Sequence, residues 1–152
     1  MDINLIELIK DVNNWHGRQP PFCPNEKEIE IYKEFIAGSK KVCLFGATKE
    51  LMNLCDLAVD LNPINNFDKI IKSDWFDMCD PQDCIIGDGI LNLYGDNLLH
   101  HISTISKTLV TRVFMKKLEG MKYAKFFPTN FPNNSRVIIT QPDIAMVQWN
   151  FY

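Results

Sequence analysis

Three aspartates stand at or within two residues of the ends of predicted strands, where a parallel sheet presents side chains to a ligand. Asp60 and Asp74 each follow an apolar run, and Asp88 follows a third run and lies between Gly87 and Gly89. Because the carboxyl ends of parallel strands line a crevice, we expect these carboxylates at the ligand-binding edge of the sheet. A carboxylate at the end of a second strand typically accepts hydrogen bonds from ribose hydroxyls, and Asp60 is the candidate for that role.

Asp74 and Asp88 suggest two further kinds of chemistry. Asp74 is followed by Trp75, and an acid beside an aromatic ring can hold the edge and the face of an adenine. The structural alternative is that Asp74 caps a turn and Trp75 is half-buried. Asp88 is expected to face the crevice, because its flanking glycines allow the backbone to approach a ligand closely. If the chemistry needs a general base, Asp88 is the first candidate and His16 the second.

The residues around Gly46 form the unit on which the rest of the chain is organised. The apolar run 42–45 breaks at Gly46, and Thr48 precedes residues 49–54, whose apolar positions recur at helical spacing. A second apolar run then ends on Asp60. The pattern predicts a strand, a tight turn, a helix and a parallel strand, with a helix N-terminus and a glycine beside the ligand. An ordinary buried crossover remains the alternative, because one glycine stands where dinucleotide sites have three.

Predicted elements on both sides complete the domain. Amphipathic helices are expected over residues 2–13 and after Asn25. Between them, the proline-rich loop Trp15–Pro24 carries aromatic, basic and histidine side chains that could cover a pocket. Arg112 lies inside a predicted strand, so its charge must reach solvent or a carboxylate. The other predicted elements are strands at 69–72, 84–86 and 109–115, a helix at 97–106 and a terminal β-hairpin at 136–151.

Size and charge narrow the possible classes of protein. A chain of 152 residues suits one domain with a substantial core. The net charge of -3 argues against a general nucleic-acid-binding surface. No apolar run reaches the ~18 residues needed to span a membrane, and the acidic N-terminal residues do not form a signal peptide. We therefore expect a cytoplasmic protein.

The five cysteines are expected to be reduced, and no metal site is expected. Their number is odd, several lie in apolar runs, and no C-x-x-C pair occurs. Cys79 and Cys84 have no histidines nearby at the spacing of zinc ligands.

Taken together, these segments resemble the class I S-adenosylmethionine-dependent methyltransferases. The resemblance covers roughly residues 15–115 and is carried by an ordered set of motifs: Gly46-Ala47-Thr48-Lys49-Glu50-Leu51, Asp60, Ser73-Asp74-Trp75, Gly87-Asp88-Gly89 and Arg112. It implies an α/β fold with a three-layer Rossmann-like methyltransferase sheet, mostly parallel with a C-terminal antiparallel hairpin. It also implies one domain over residues 1–152: N-terminal helices and a pocket-covering loop at 1–38, a cofactor-binding core at 41–115 and the hairpin at 136–151.

The resemblance further implies S-adenosylmethionine as the cofactor. Gly46 and Thr48 would lie beside its amino-acid portion, Asp60 on the ribose, and Asp74 and Trp75 at the adenine. Asp88 and Gly89 would line the floor of the pocket. The full implied set of cofactor-binding residues is Phe45, Gly46, Ala47, Thr48, Asp60, Leu61, Asp74, Trp75, Asp88 and Gly89.

The predicted function is methyl transfer to a small acceptor of unknown identity. In such a reaction the protein mainly positions the nucleophile in line with the methyl group and excludes water. A Ser-His-Asp signature is therefore not expected. One alternative is a non-catalytic S-adenosylmethionine-binding or assembly subunit, in a homo-oligomer or with a partner chain. Another is an NAD(P)-dependent oxidoreductase, since residues 45–48 resemble the G-A-T turn of short-chain reductases. The Tyr-x-x-x-Lys pair of those reductases is missing after the fourth strand.

Overall fold

Short apolar runs form the strands of a mixed sheet in the computed structural model, which describes residues 20–61, 69–121 and 123–151. β-branched and aliphatic side chains dominate these runs, and glycine, aspartate or asparagine ends several of them. The strands are β1 (Val42–Phe45), β2 (Leu57–Asp60), β3 (Ile70–Lys72), β4 (Gln82–Asp88), β5 (Ser106–Phe114), β6 (Arg136–Gln141) and β7 (Ile144–Asn150).

The strand order in the described sheet is β3-β2-β1-β4-β5-β7-β6. The five strands from β3 to β5 pair in parallel. β7 pairs antiparallel with both β5 and β6. The prediction of a mostly parallel sheet with an antiparallel C-terminal hairpin is therefore confirmed. The strand order reverses between β1 and β4, and open α/β sheets bind ligands at the carboxyl ends of such a pair.

Helices cover both faces of the sheet, which gives three layers. The α-helix α1 (Glu26–Ile36) and the 3₁₀ helix η1 (Lys49–Leu54) pack on one face, and the α-helix α2 (Ile90–Ile105) packs on the other. Because side chains alternate along a strand, Leu44 faces α1 while Cys43 faces α2. The central strands contribute to both cores, as expected for parallel strands covered on both sides.

The N-terminus of α1 is closed by a capping box. The Asn25 side chain accepts a hydrogen bond from the Glu28 backbone N–H at 2.8 Å, and the Glu28 side chain accepts one from the Asn25 N–H at 3.0 Å. The predicted cap at Asn25 is thus confirmed. The cap fixes the start of a helix whose apolar face buries Tyr32 and Phe35.

Two predicted helices differ from the structure. Residues 49–54 form a 3₁₀ helix, since the six residues between Thr48 and Cys55 leave little room for regular α-helix before β2. The helix predicted at 97–106 begins earlier, at Ile90, because Gly89 adopts a left-handed conformation (φ 65°) and ends the preceding strand. Gly95 (φ 61°, ψ -140°) then kinks the helix.

Some predicted features lie outside the described residues. These are the helix at 2–13, the candidate base His16 and the first part of the loop Trp15–Pro24. Within the described ranges, no helix has the length and hydropathy needed to cross a membrane.

Candidate functional site

The Gly46 turn lies at the carboxyl end of β1. Its backbone N–H donates to the Val59 carbonyl of β2 at 2.8 Å, and its φ of 110° is accessible mainly to glycine. Phe45, Ala47 and Thr48, on either side, are buried. The turn is therefore held against the end of β2, close to Asp60.

Trp75 lies against this turn. Its indole Nε1 donates to the Val59 carbonyl oxygen at 2.7 Å. Its ring stacks on Phe45, with centroids 5.7 Å apart and planes 9° from parallel. A Cβ built on Gly46 would lie 3.7 Å from the indole. The structure thus brings together Phe45, Gly46 and Trp75, which sequence reasoning had assigned to one site.

Asp60 and Asp74 lie at neighbouring strand ends. Asp60 ends β2 opposite Lys72 of β3, and its carbonyl oxygen accepts from the Ser73 N–H at 3.0 Å. The Asp74 side chain accepts from the Phe76 N–H at 3.0 Å and caps the short 3₁₀ helix η2 (Trp75–Asp77). The capping role weighed for Asp74 is therefore present. Leu61, next to Asp60, is exposed.

Asp88 forms a bidentate ion pair with Arg112. The two residues are opposite each other in the β4–β5 ladder. Arg112 Nε lies 2.6 Å from Asp88 Oδ1, and Nη2 lies 3.0 Å from Oδ2. Both side chains are buried. Arg112 thus reaches a carboxylate, as its position in a strand requires. This engagement of Asp88 argues against its use as a general base.

Glu28 shares the same guanidinium and links it to other elements. Arg112 Nη1 lies 3.2 Å from Glu28 Oε1. The Glu28 carboxylate also accepts from Thr140 Oγ1 at 2.7 Å and from Gln141 Nε2 at 3.2 Å. Glu28 therefore connects α1, β5 and the terminal hairpin. We refer to Glu28, Asp88 and Arg112 as the buried ion cluster.

Tyr32 completes the hydrogen bonding around the cluster. Its hydroxyl donates to the Gly87 carbonyl and accepts from the Arg112 backbone N–H at 3.0 Å. Burial raises the pKa of Tyr32 well above its usual value, and the Asp88 charge adds to this effect. The hydroxyl therefore remains protonated and can donate throughout the physiological pH range.

The buried ion cluster holds two carboxyl groups for one guanidinium. Burial raises the pKa of Asp88, an effect that the charge and hydrogen bonds of Arg112 oppose. Cys23, from the described end of the predicted covering loop, lies close to the cluster. Burial raises the pKa of its thiol to about 11, with a further contribution from the Glu50 charge. Cys23, in the described part of the segment before α1, therefore lies near the buried ion cluster.

Asn92 fastens the chain after β5 to the start of α2. Its buried side chain donates to the carbonyls of Phe114 at 2.8 Å and Phe126 at 2.7 Å, and accepts from the Phe114 N–H at 3.0 Å. Phe126 also lies against Gly95, where a Cβ would meet its ring at 3.1 Å. These contacts hold Phe114 and Phe126 against the first turns of α2.

Aromatic side chains continue outward from Trp75. Tyr94 contacts Trp75 edge to face, with centroids 5.7 Å apart, and Phe76 contacts Tyr94 in the same way at 5.6 Å. Tyr94 and Phe76 are both exposed.

In the described ranges, no group of three or more His, Cys, Asp or Glu side chains is arranged to bind a metal ion.

Sequence reasoning missed Glu28, Tyr32 and Asn92. A signal existed for Glu28, since Asn25-x-x-Glu28 is a capping box, but the box predicts an exposed first-turn acid. Its partner Arg112 lies 84 positions away along the chain. For Tyr32, the helical periodicity predicted burial without indicating a partner for the hydroxyl. Nothing in the sequence indicated the contacts of Asn92.

The crevice has groups that suit a nucleoside ligand. The Gly46 turn, the Asp60 strand end and the Trp75 ring lie together where β1 and β2 end. A carboxylate can accept ribose hydroxyls and an indole can pack on a base, so the residues present fit the adenosyl part of S-adenosylmethionine.

The fold is identified by similarity to solved structures and not by similarity of sequence. No protein-family model and no curated protein sequence matches the chain. Among solved structures, it is similar to the N-terminal domain of EvdMO1 with SAH bound (TM-score 0.57, 11% identity), over 99% of this chain and 97% of that one. It is also similar to magnesium protoporphyrin IX methyltransferase (ChlM) from Synechocystis PCC 6803 with bound SAM (TM-score 0.55, 10% identity), over 80% of this chain and 77% of that one. The same enzyme with bound SAH matches over 97% of this chain and 87% of that one, with a TM-score of 0.56 and 10% identity.

The strand order, the antiparallel pairing of β7 with β5 and these structural matches all indicate the same fold. The chain therefore has a class I methyltransferase-like fold.

Proposed function

We propose that the protein binds S-adenosylmethionine at the carboxyl edge of β1, β2 and β4 and transfers its methyl group to a small acceptor. The observation that carries the proposal is the Gly46 turn. It lies at the reversal of strand order, is hydrogen-bonded to the end of β2 and has the Trp75 indole beside it. The neighbours bound to SAM or SAH support the choice of ligand.

The chain's own residues would bind and orient the ligand. The backbone of residues 45–48 would lie along the amino-acid portion, Asp60 and Leu61 beside the ribose, and Asp74 and Trp75 at the adenine. Asp88 and Gly89 would form the floor, with the Asp88 carboxylate held in place by Arg112. When bound, S-adenosylmethionine supplies an electrophilic methyl group, so the protein's task is to position the acceptor and exclude water.

Calorimetry with S-adenosylmethionine and S-adenosylhomocysteine tests the proposed site. Asp60→Ala should weaken binding of both by about 10- to 150-fold, because charge-assisted hydrogen bonds to the ribose contribute roughly 1.5–3 kcal/mol. Asp80→Ala, at an exposed position after η2, is the matched control and should bind like the parent. Equal affinities for the parent and Asp60→Ala would contradict the ribose assignment.

A binding subunit without catalytic activity is the second candidate. The observation that favours it is the engagement of both Asp88 carboxylate oxygens by Arg112, which leaves the first candidate base unsuited to that role. Radiolabelled S-adenosylmethionine incubated with metabolite and macromolecule pools separates the two candidates. Transfer of label to any acceptor supports the enzyme, and ligand binding without transfer in any pool favours the subunit.

The oxidoreductase alternative makes a different prediction about affinity. Fluorescence titration should show tighter binding of S-adenosylhomocysteine than of NADH.

We also propose a cytoplasmic location and no general binding of nucleic acids. The location is supported by the five free cysteines and can be tested by cell fractionation. The absence of general nucleic-acid binding is supported by the net charge of -3 and can be tested by gel-shift measurements.

A further inference from the structure

The buried ion cluster begins beside the Gly46 turn. In the β1–β4 ladder Phe45 is opposite Gly87, so Gly46 and Asp88 are the next residues along these adjacent strands. Asp88 belongs to the cluster, since Arg112 binds both of its carboxylate oxygens. The charge of the cluster therefore acts on any group that binds at the Gly46 turn.

The hydrogen bonds of Glu28 identify it as a carboxylate. Its two oxygens accept from the Asn25 N–H at 3.0 Å, Thr140 Oγ1 at 2.7 Å, Gln141 Nε2 at 3.2 Å and Arg112 Nη1 at 3.2 Å. A protonated carboxyl group would direct its own O–H at one of these donors. The ionised form therefore satisfies the partners, although the Glu28 side chain is fully buried.

The cluster has more negative than positive charge. Two buried carboxylates share the single guanidinium of Arg112. The N-terminus of α1, beside Glu28, offsets only roughly half a unit of charge. Half-buried Glu50, which is hydrogen-bonded to the Cys23 thiol, adds a further negative charge.

The effect of these charges is visible at Asp88. Burial raises the pKa of Asp88, Arg112 opposes this effect, and the charges of Glu28 and Glu50 add to it. The negative charges of Glu28 and Glu50 thus reach the end of β4 in spite of Arg112. Because charges in a partly desolvated site are weakly screened, they should also act on a ligand there.

We propose that the excess negative charge of Glu28 and Glu50 makes the site selective for the cationic form of its ligand. S-adenosylmethionine has a positive sulfonium sulfur, whereas the thioether of S-adenosylhomocysteine is neutral. This selectivity rests on the proposed function, since it requires that the site bind both compounds. Glu28 acts through its charge and touches no ligand, so it is a positioning residue. The same charge would favour release of the neutral product after methyl transfer.

The ratio of the two affinities separates this role from a purely structural one. The two compounds differ by the methyl group and by the charge on sulfur. A variant that merely loosens the fold should weaken the binding of both to the same extent. A variant that loses the charge should weaken the binding of S-adenosylmethionine alone.

Calorimetry with both compounds measures the selectivity, defined as the dissociation constant of S-adenosylhomocysteine divided by that of S-adenosylmethionine. Glu28→Gln keeps the size of the side chain and removes one charge, so the selectivity should fall by about five- to tenfold. Glu34→Gln is the matched control on the same helix. Its side chain is 62% exposed and pairs with Arg136 at the surface, so this variant should keep the selectivity of the parent.

Glu50→Gln is the second variant, because it removes a charge without removing a hydrogen bond of the cluster. It should lower the selectivity in the same direction by a smaller factor, since Glu50 is half-buried and more strongly screened. This variant decides the matter if circular dichroism shows that Glu28→Gln does not fold.

Three results overturn the inference and leave the proposed function intact: unchanged selectivity in folded Glu28→Gln, unchanged selectivity in Glu50→Gln, or an equal fall in Glu34→Gln. A parent that binds neither compound contradicts the proposed function itself, and the selectivity falls with it.

Discussion

At the scale of single residues, Arg112 joins parts of the chain that are distant in sequence. Its guanidinium binds Asp88 on the neighbouring strand and Glu28 on α1. Both carboxylates are buried and depend on this cation for compensation of their charge. Removing one partner of a buried ion pair is costly because the remaining charge has neither water nor a counter-ion.

We therefore expect Arg112→Met to lower the free energy of unfolding by about 3–5 kcal/mol, even though methionine fills much of the same volume. Arg136→Met is the control, because Arg136 forms an exposed pair with Glu34, and exposed pairs contribute about 0–1 kcal/mol. Urea unfolding followed by circular dichroism measures both. Equal losses of unfolding free energy in the two variants would show that the buried ion pair contributes no more to stability than the exposed pair does.

The cysteines provide a second residue-scale prediction. Cys79 is exposed, whereas burial raises the pKa of the Cys43 thiol to about 12 and of the Cys84 thiol to about 11. A raised pKa lowers the fraction of reactive thiolate at neutral pH. Iodoacetamide should therefore label native protein at Cys79 first, and Cys79→Ser should remove that label in intact-mass spectra. Rapid native labelling of Cys43 would contradict the observed packing.

At the scale of elements, the ends of strands were predictable and the helices were less so. Val42–Phe45 and Leu57–Asp60 were predicted because continuous apolar runs end abruptly at Gly46 and at Asp60. η1 is a 3₁₀ helix because few residues connect β1 to β2. The periodicity of residues 49–54 predicts a helix but does not show which kind of helix this short connection allows. The start of α2 at Ile90 depends on the left-handed conformation of Gly89.

The Gly46 turn has a matched control in Gly38, after α1. Both glycines have positive φ, 110° and 87°, so alanine should cost each variant roughly 1–2 kcal/mol of stability. A Cβ at Gly38 meets nothing within 4 Å, whereas a Cβ at Gly46 would lie 3.7 Å from the Trp75 indole, beside the proposed ligand site. Gly46→Ala should therefore weaken S-adenosylhomocysteine binding, and Gly38→Ala should not. Calorimetry showing equal loss in both would remove Gly46 from the ligand site.

At the scale of the whole molecule, the candidate site divides into a part that the sequence predicts and a part that it does not. Phe45, Gly46, Asp60 and Trp75 were predicted together because each lies at or within three residues of a strand end, and parallel strands bring their ends to one edge. The buried ion cluster was not predicted, since its members meet only after β5, α1 and the hairpin have packed. Contacts of that kind depend on tertiary geometry rather than on local pattern.

The fold as a whole should respond to the proposed ligand, because a ligand that binds the native state stabilises all of the structure that unfolds with it. At a hundred times its dissociation constant, S-adenosylhomocysteine should add about 2.7 kcal/mol, which for a chain of this size raises the melting temperature by roughly 5–10 °C. Scanning calorimetry of the parent and of Asp60→Ala, each at the same ligand concentration, measures the effect. At the same ligand concentration the 10- to 150-fold weaker variant should gain only about 0.3–1.4 kcal/mol, because the stabilisation grows with the logarithm of the ratio of ligand concentration to dissociation constant. A parent whose melting temperature rises with NADH and is unchanged by S-adenosylhomocysteine would favour the oxidoreductase alternative for the same crevice.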